Sequence, residues 1–124
     1  MNIDTNATAQ GANPLIASDR VEGTTVYGRD GEKLGRVERF MVNKISGQAE
    51  YAVMSFGGLL GIGSRHFPVP WKALDYEEDK GGYVVGLTPE TLERAPHYDA
   101  EGAEPVYDRV YTQHVFAFYG LPYL

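Results

Sequence analysis

Three histidines, His66, His97 and His114, are the side chains of this chain best suited to acid–base or metal chemistry near neutral pH. Neutral imidazole coordinates metals readily, but ligand sets are announced by short spacings or neighbouring carboxylates. These three fall on a strand, a linker and a helix with no such spacing. The carboxylates Asp75, Glu77, Glu78 and Asp79 form the densest acidic group. Hard cations favour oxygen ligands, yet the calcium-loop template of alternating Asp or Asn with a later Glu is missing, so the group reads as a solvated hairpin tip. Paired carboxylates work as acid and base only where a pocket separates their pKa values, and this hairpin offers none. Ser55, Ser64 and His66 make no nucleophile arrangement, because neither serine sits in a nucleophile elbow. The expectation is therefore no catalytic residue, no metal site and no cofactor.

The stretch from Gly57 to Trp71 carries more information. Four glycines fall within Gly57–Gly63, and Pro68 and Pro70 interrupt the strand that follows. Glycines permit positive φ angles and close backbone approach, while prolines exclude a central strand, so the run reads as a sharp corner of a small β-fold. It is not a phosphate-binding loop, because the Gly-Lys-Ser/Thr ending is missing and a Pro-broken strand stands where a helix is required. Leu59, Leu60 and Ile62 are apolar residues on that loop, and Trp71 closes the strand after it. They are candidates for contact with a partner or a small apolar ligand at a barrel mouth.

The elements that must position these residues are short. Val21–Tyr27 and Leu34–Val42 read as strands separated by the Asp30-Gly31 turn. In the second, Arg36 and Glu38 share a parity with Phe40 and Val42, which predicts a β-bulge near Glu38-Arg39 that restores the register. Lys44–Gln48 turns the chain into Ala49–Phe56, a strand apolar on both faces: Tyr51 and Val53 point one way, Ala52, Met54 and Phe56 the other. Such a strand is covered outside as well as inside. His66–Trp71, Ala73–Tyr76 and Tyr83–Leu87 complete about six strands. Thr88 as N-cap and Pro89 at the first helical position begin a helix of about two turns, stopped by Pro96.

Six of the 15 aromatic residues lie between Tyr107 and Tyr123. Tyr107, Val110, Tyr111, His114, Val115 and Phe118 fall at helical spacing and predict an amphipathic C-terminal helix, ended by Gly120 and Pro122, that covers the outward face of the third strand. Phe116 and Tyr119 fall outside the stripe and are candidates for a subunit contact, since aromatic residues are enriched at interface anchors.

Composition bounds the whole. A chain of 124 residues supports one domain, and 11 basic against 17 acidic residues leave a net charge of -6, which opposes contact with phosphate backbones. Cysteine is absent, which removes disulfides and thiolate chemistry. The polar start has neither the basic nor the apolar part of a signal peptide, and no run of about 18 apolar residues offers a membrane helix. A soluble, cytoplasmic protein is expected, with residues 1–18 as a disordered tail, 19–98 as the folded domain, and 99–124 as an acidic linker and aromatic-rich helix.

Gly28–Val37, together with the Gly57–Trp71 corner and its Val69-Pro70-Trp71 strand end, resembles the PRC-barrel family over about residues 19–98. The resemblance implies a small, six-stranded β-barrel. Members include the cytoplasmic domain of the photosynthetic reaction centre H subunit, a domain of a ribosome-maturation factor and stand-alone bacterial proteins, which this chain's Tyr-rich end resembles most. The resemblance implies a docking role on another protein and transfers no individual functional residue. The leading expectation is a non-enzymatic interaction or assembly module that forms a homo-oligomer, without direct nucleic-acid contact and able to dock on a membrane-protein complex. The alternatives are a quinone-like ligand at the barrel mouth near Leu59, Leu60, Ile62 and Trp71, and ribosome assembly through a ribosomal protein.

Overall fold

A computed structural model describes residues 15–56 and 64–123. The elements are α1 (Ser18–Val21), β1 (Thr25–Tyr27), β2 (Lys33–Val42), β3 (Ala49–Phe56), β4 (Arg65–Pro70), a 3-10 turn (Trp71–Ala73), β5 (Leu74–Glu77), β6 (Gly82–Val85), α2 (Pro89–Leu92), β7 (Tyr98–Asp99) and α3 (Arg109–Phe118). The strands form one sheet in the order β5-β6-β1-β2-β3-β4-β7. β1 and β6 run parallel and the other neighbours antiparallel. The mainly β architecture with a C-terminal helix is as expected, but the sheet has seven strands where six were read. The extra one is the two-residue β7, which pairs with Arg65 and His66 on the outer edge of β4. Two residues are too few for an alternation pattern, so no sequence signal marks it.

The sheet is strongly rolled, and its connectivity requires this. β4 and β5 stand five places apart, a distance of about 24 Å in a flat sheet. Only the three residues Trp71–Ala73 join them, a link of roughly 14 Å at most. The two ends of the run must therefore curl toward one another, and Trp71 meets Tyr83 of β6 at 5.7 Å between ring centroids.

β2 supplies much of the curvature. Its pairing with β3 shifts between Val37 and Arg39, leaving Glu38 as the extra residue, the bulge expected from the slipped alternation. A second shift, opposite Val26 and Tyr27, inserts Leu34. With two insertions, Leu34 and Val37 are both buried and Phe40 packs on the same core in spite of their three-residue spacing. Gly35 lies between them because the Ser55 carbonyl occupies the space a Cβ would take.

The rolled sheet encloses Val26, Val37, Met54, Phe67, Val69 and Val85, and Leu92 of α2 closes one end. Thr88 caps α2, its hydroxyl accepting from the Thr91 N–H at 3.2 Å. The helix is one turn long, shorter than the two turns read from the sequence, and the chain leaves it through hydrogen bonds from the Arg94 and Ala95 N–H groups to the Thr91 and Leu92 carbonyls.

β3 is covered on both faces, as its apolar alternation requires. Ala52 and Met54 face the core, while Tyr51 packs outward against Val115 and Phe116 of α3. The rotation of α3 departs from the predicted stripe. Val110 and His114 are exposed, and Thr112, Val115 and Phe116 are buried. The helix also begins later, with Tyr107 ahead of the N-cap Asp108, whose Oδ1 accepts from the Tyr111 N–H at 2.9 Å. Its end is locked by Gly120 at φ 71°, which lets the Gly120 and Leu121 N–H groups reach the Ala117 and Phe116 carbonyls, both at 3.0 Å. That cap folds Leu121 onto the cluster around Phe116 and turns Phe116, not Val110, inward.

Candidate functional site

The seam between the rolled sheet and the C-terminal segment holds two hollows. The first is a groove of about 620 Å³ lined by Ala49 and Glu50 from the start of β3, Trp71 and Lys72 from the 3-10 turn, and Phe116, Pro122 and Tyr123 from the end of α3 and the tail. Pro70 ends β4 because it cannot donate to the ladder, and the tight turn that follows sets Trp71 at the rim. The indole is half-buried, tilted on Phe40 at 6.0 Å and on Tyr83 at 5.7 Å, so one part stiffens the barrel while another faces the groove. Tyr123 stacks edge-on against Phe116 at 5.2 Å.

The second hollow, of about 270 Å³, adjoins the first and shares Glu50 and Tyr123 with it. Met41, Val42, Asn43, Tyr51, Tyr107 and Thr112 complete its walls, which are mainly polar. Tyr51 meets Tyr107 edge-on at 5.1 Å and Phe116 at 5.8 Å. Burial raises the Tyr51 phenol above its ordinary pKa and outweighs the opposing influence of Thr112, so it is protonated at neutral pH. Thr112 is the polar side chain that acts on the Tyr51 hydroxyl, whose oxygen is itself closed off from solvent. The neighbouring tyrosines share this state. Burial is the main cause that pushes Tyr111 up to about 12 and raises Tyr107 and Tyr119 further.

Along β2–β4 the outer face also carries a charged group. Arg36 donates to Glu38 at 3.2 Å, and Arg39 pairs with Glu104 at 3.8 Å. Burial works to raise Glu38, but Ser55 and Arg36 outweigh it and hold the carboxyl below its ordinary value. His66 stands next to this group with its ring edge-on to Tyr98 at 5.5 Å, and burial followed by the Arg39 charge lowers its pKa. Its Nδ1 is buried without a partner.

The residues singled out by the sequence are distributed as follows. Trp71 and Phe116 share the larger groove. Phe116, read as a candidate for a subunit contact, is buried in the chain's own packing, and Tyr119 is half-buried against the same cluster. The rotation imposed by the Gly120 cap accounts for it. Leu59, Leu60 and Ile62 lie outside the described residues. The histidines stand apart: His97 is exposed, its Nδ1 2.8 Å from the Ala95 carbonyl, and His114 is on the solvent side of α3. Asp75, Glu77, Glu78 and Asp79 are exposed at the β5–β6 hairpin. Among the described residues no group of three or more His, Asp or Glu is placed to hold a metal. Sequence reasoning missed Glu50, Tyr107 and Tyr123 as wall residues. The outward parity of Tyr51 was the signal, but nothing in the linear pattern shows which tyrosines of the C-terminal segment would meet it.

A rolled sheet of seven strands, sealed by a one-turn helix and carrying two hollows on the outer seam with a C-terminal helix, is a β-barrel module. The family model of the PRC-barrel domain matches residues 14–92, and the chain belongs to that family. The match takes in β1 to β6 and α2 and stops before α3, so both hollows combine family residues with residues beyond the match. A search of the curated proteins matches none to this chain. Among the described residues no helix is long and apolar enough to cross a membrane.

Proposed function

We propose that this chain is a non-enzymatic interaction and assembly module of the PRC-barrel type, acting in the cytoplasm as a homo-oligomer. The observation that carries this reading is the surface around the start of α3. Val106 and Val110 are 76% and 74% exposed, and Val42 and Ile45, on and beyond the end of β2, are 46% and 94% exposed. Val42 and Tyr107 line the same hollow, which sets the end of β2 beside the segment that leads into α3. Exposed apolar residues interleaved along the chain with charged ones such as Arg109 and Lys44 have the character of an interface core with a polar rim. A second copy of the chain is the occupant proposed, because a self-complementary patch closes into a symmetric dimer. Sedimentation velocity across a wide concentration range tests it. A dimer or larger species that Val110→Glu converts to monomer is expected, and a wild-type protein that stays monomeric throughout overturns the reading.

A second reading is favoured by the groove of about 620 Å³, a volume within the usual range of small-ligand sites. Trp71 and Phe116 line it, and a flat apolar ring of quinone-like kind fits between them. Trp71 is the sole tryptophan, so quenching of its fluorescence reports occupancy directly. No response across a panel of quinones, or an equal response in Phe116→Leu, counts against this reading.

A further inference from the structure

The C-terminal segment joins the barrel through a small contact. β7 holds it to the edge of β4 by the pairs Arg65–Asp99 and His66–Tyr98 and by the Ala100 N–H donating to the Ser64 carbonyl at 3.1 Å. The Tyr98 ring lies edge-on to His66 at 5.5 Å. From there the contact runs on into the helix. After burial, Tyr98 is the group that acts most on the Tyr107 hydroxyl, and Tyr107 meets Tyr51 at 5.1 Å and Tyr111 at 5.4 Å. The barrel interior does not depend on this run. Its buried residues extend from Val21 to Ala95, and beyond residue 97 only Phe118 and Tyr119 pack against them.

His66 is the weak point of the contact at low pH. A neutral imidazole keeps one nitrogen as a bare lone pair, whereas the imidazolium carries an N–H on both and needs an acceptor for each. Nδ1 of His66 is shut off from solvent without a partner, so an imidazolium is left with a stranded donor while β7 stays in place. Among the described residues, those that face His66 are Arg39 and Glu38 from β2, Ser55 from β3, Tyr98 from β7 and Glu104 from the segment before α3. Arg39 repels the added charge. The two carboxylates attract it but are already engaged, Glu38 by Arg36 at 3.2 Å and Glu104 by Arg39 at 3.8 Å. Arg65, next in the chain, turns to the Phe67 ring at 5.9 Å. Burial and Arg39 together outweigh the carboxylates, and the imidazole titrates below its ordinary value of 6.5.

We propose that His66 is a latch: proton uptake at its imidazole releases β7 and α3 together from a barrel that stays folded. Release gives Nδ1 to water and uncovers the outward face of β3 around Tyr51. In the released state the imidazole has its ordinary pKa, so release is favoured as pH falls below 6.5 and is suppressed above it. The latch is a property of the single chain and rests on neither reading above.

Native-state hydrogen exchange of the full chain, in dilute solution and low urea, tests this, with rates corrected for intrinsic exchange. The Thr112, Val115 and Phe116 amides are expected to share one opening that requires less free energy, and depends less on urea, than the opening of Val53 and Met54 in β3. Its equilibrium constant rises by up to about tenfold between about pH 7.5 and 5.5, because a released imidazole of pKa 6.5 is then about ten-to-one protonated. His66→Gln is expected to abolish the rise, and His114→Gln, on the solvent side of α3, to leave it whole. Arg39→Gln shrinks the ratio between the two pH values, a quantity into which a general loss of stability does not enter. A C-terminal helix that exchanges only together with β3, an opening that is the same at both pH values, or a rise that persists in folded His66→Gln overturns the inference.

Discussion

The rotation of α3 decides what the C-terminal helix does, and a pair of substitutions reads it. Phe116 is packed between Tyr51 and Tyr123, at 5.8 and 5.2 Å between ring centroids, while Val110 on the same helix is 74% exposed. Truncating a buried phenylalanine costs about 3–5 kcal/mol in transfer and cavity terms. Phe116 borders an open groove that water can enter, so the lower end, about 3 kcal/mol, applies to Phe116→Ala. In the monomer, at low protein concentration, Val110→Ala loses almost no buried surface and gains about 0.5 kcal/mol of helix propensity. With a urea dependence of about 2 kcal/mol per molar, Phe116→Ala moves the unfolding midpoint down by about 1.5 M, and Val110→Ala moves it slightly up. Far-ultraviolet dichroism and Trp71 fluorescence follow the transition. Both partners of Phe116 are in its own chain, so the shift is the same at low and high protein concentration. The reverse order, with Val110→Ala costly and Phe116→Ala silent, refutes the rotation and restores the stripe read from periodicity.

Other outcomes follow from the same packing. Gly35→Ala drives a Cβ into the Ser55 carbonyl and is expected to cost about 2–3 kcal/mol, whereas Gly86→Ala meets open space and stays near wild type in thermal unfolding. Burial holds Tyr107, Tyr111 and Tyr119 above their ordinary value of 10.0, so the unfolded chain loses these protons first. Stability present below pH 10 is therefore lost as pH rises toward about 12, with unfolding and phenolate absorbance appearing together, and a simple titration of all tyrosines near pH 10 in the folded protein contradicts this. His66 is depressed from 6.5 by burial and Arg39, so the unfolded chain takes up the proton first as pH falls. Stability declines below pH 6.5, and His66→Gln flattens that part of the profile; an unchanged slope in denaturation midpoints between pH 7 and 5 argues against it.

What is local in this fold is written in short patterns. The Thr88-Pro89 start of α2 and the Lys44–Gln48 turn were legible because each rests on groups within a few residues, and Asn43 Oδ1 holds the turn by accepting from the Ile45 and Ser46 N–H groups at 2.9 and 3.0 Å. The bulge at Glu38 was legible for a related reason. A charged residue on the wrong parity costs too much to bury, so the strand must slip. The two apolar faces of β3 announced an outer cover, and the match over residues 14–92 agrees with the family resemblance read from Gly28–Val37 and the Val69-Pro70-Trp71 end.

The sites were far less legible, because they are made by contacts between distant segments. Periodicity locates an apolar stripe but averages over side chains, and it pointed to Val110 and His114. The hydrogen bonds of the Gly120 cap and the shape of Tyr51 turned Thr112 and Phe116 inward instead. The strand β7 exists because the edge of β4 leaves backbone groups for Tyr98 and Asp99 to pair with, a requirement absent from those two residues themselves. By itself the sequence determined six of the seven strands, the turns, the bulge and the family, since these depend on parity, caps and charge within short windows. Only the tertiary structure brought Glu50, Tyr51, Tyr107 and Tyr123 around one hollow and Trp71 and Phe116 around another, because packing joins residues that no local rule relates.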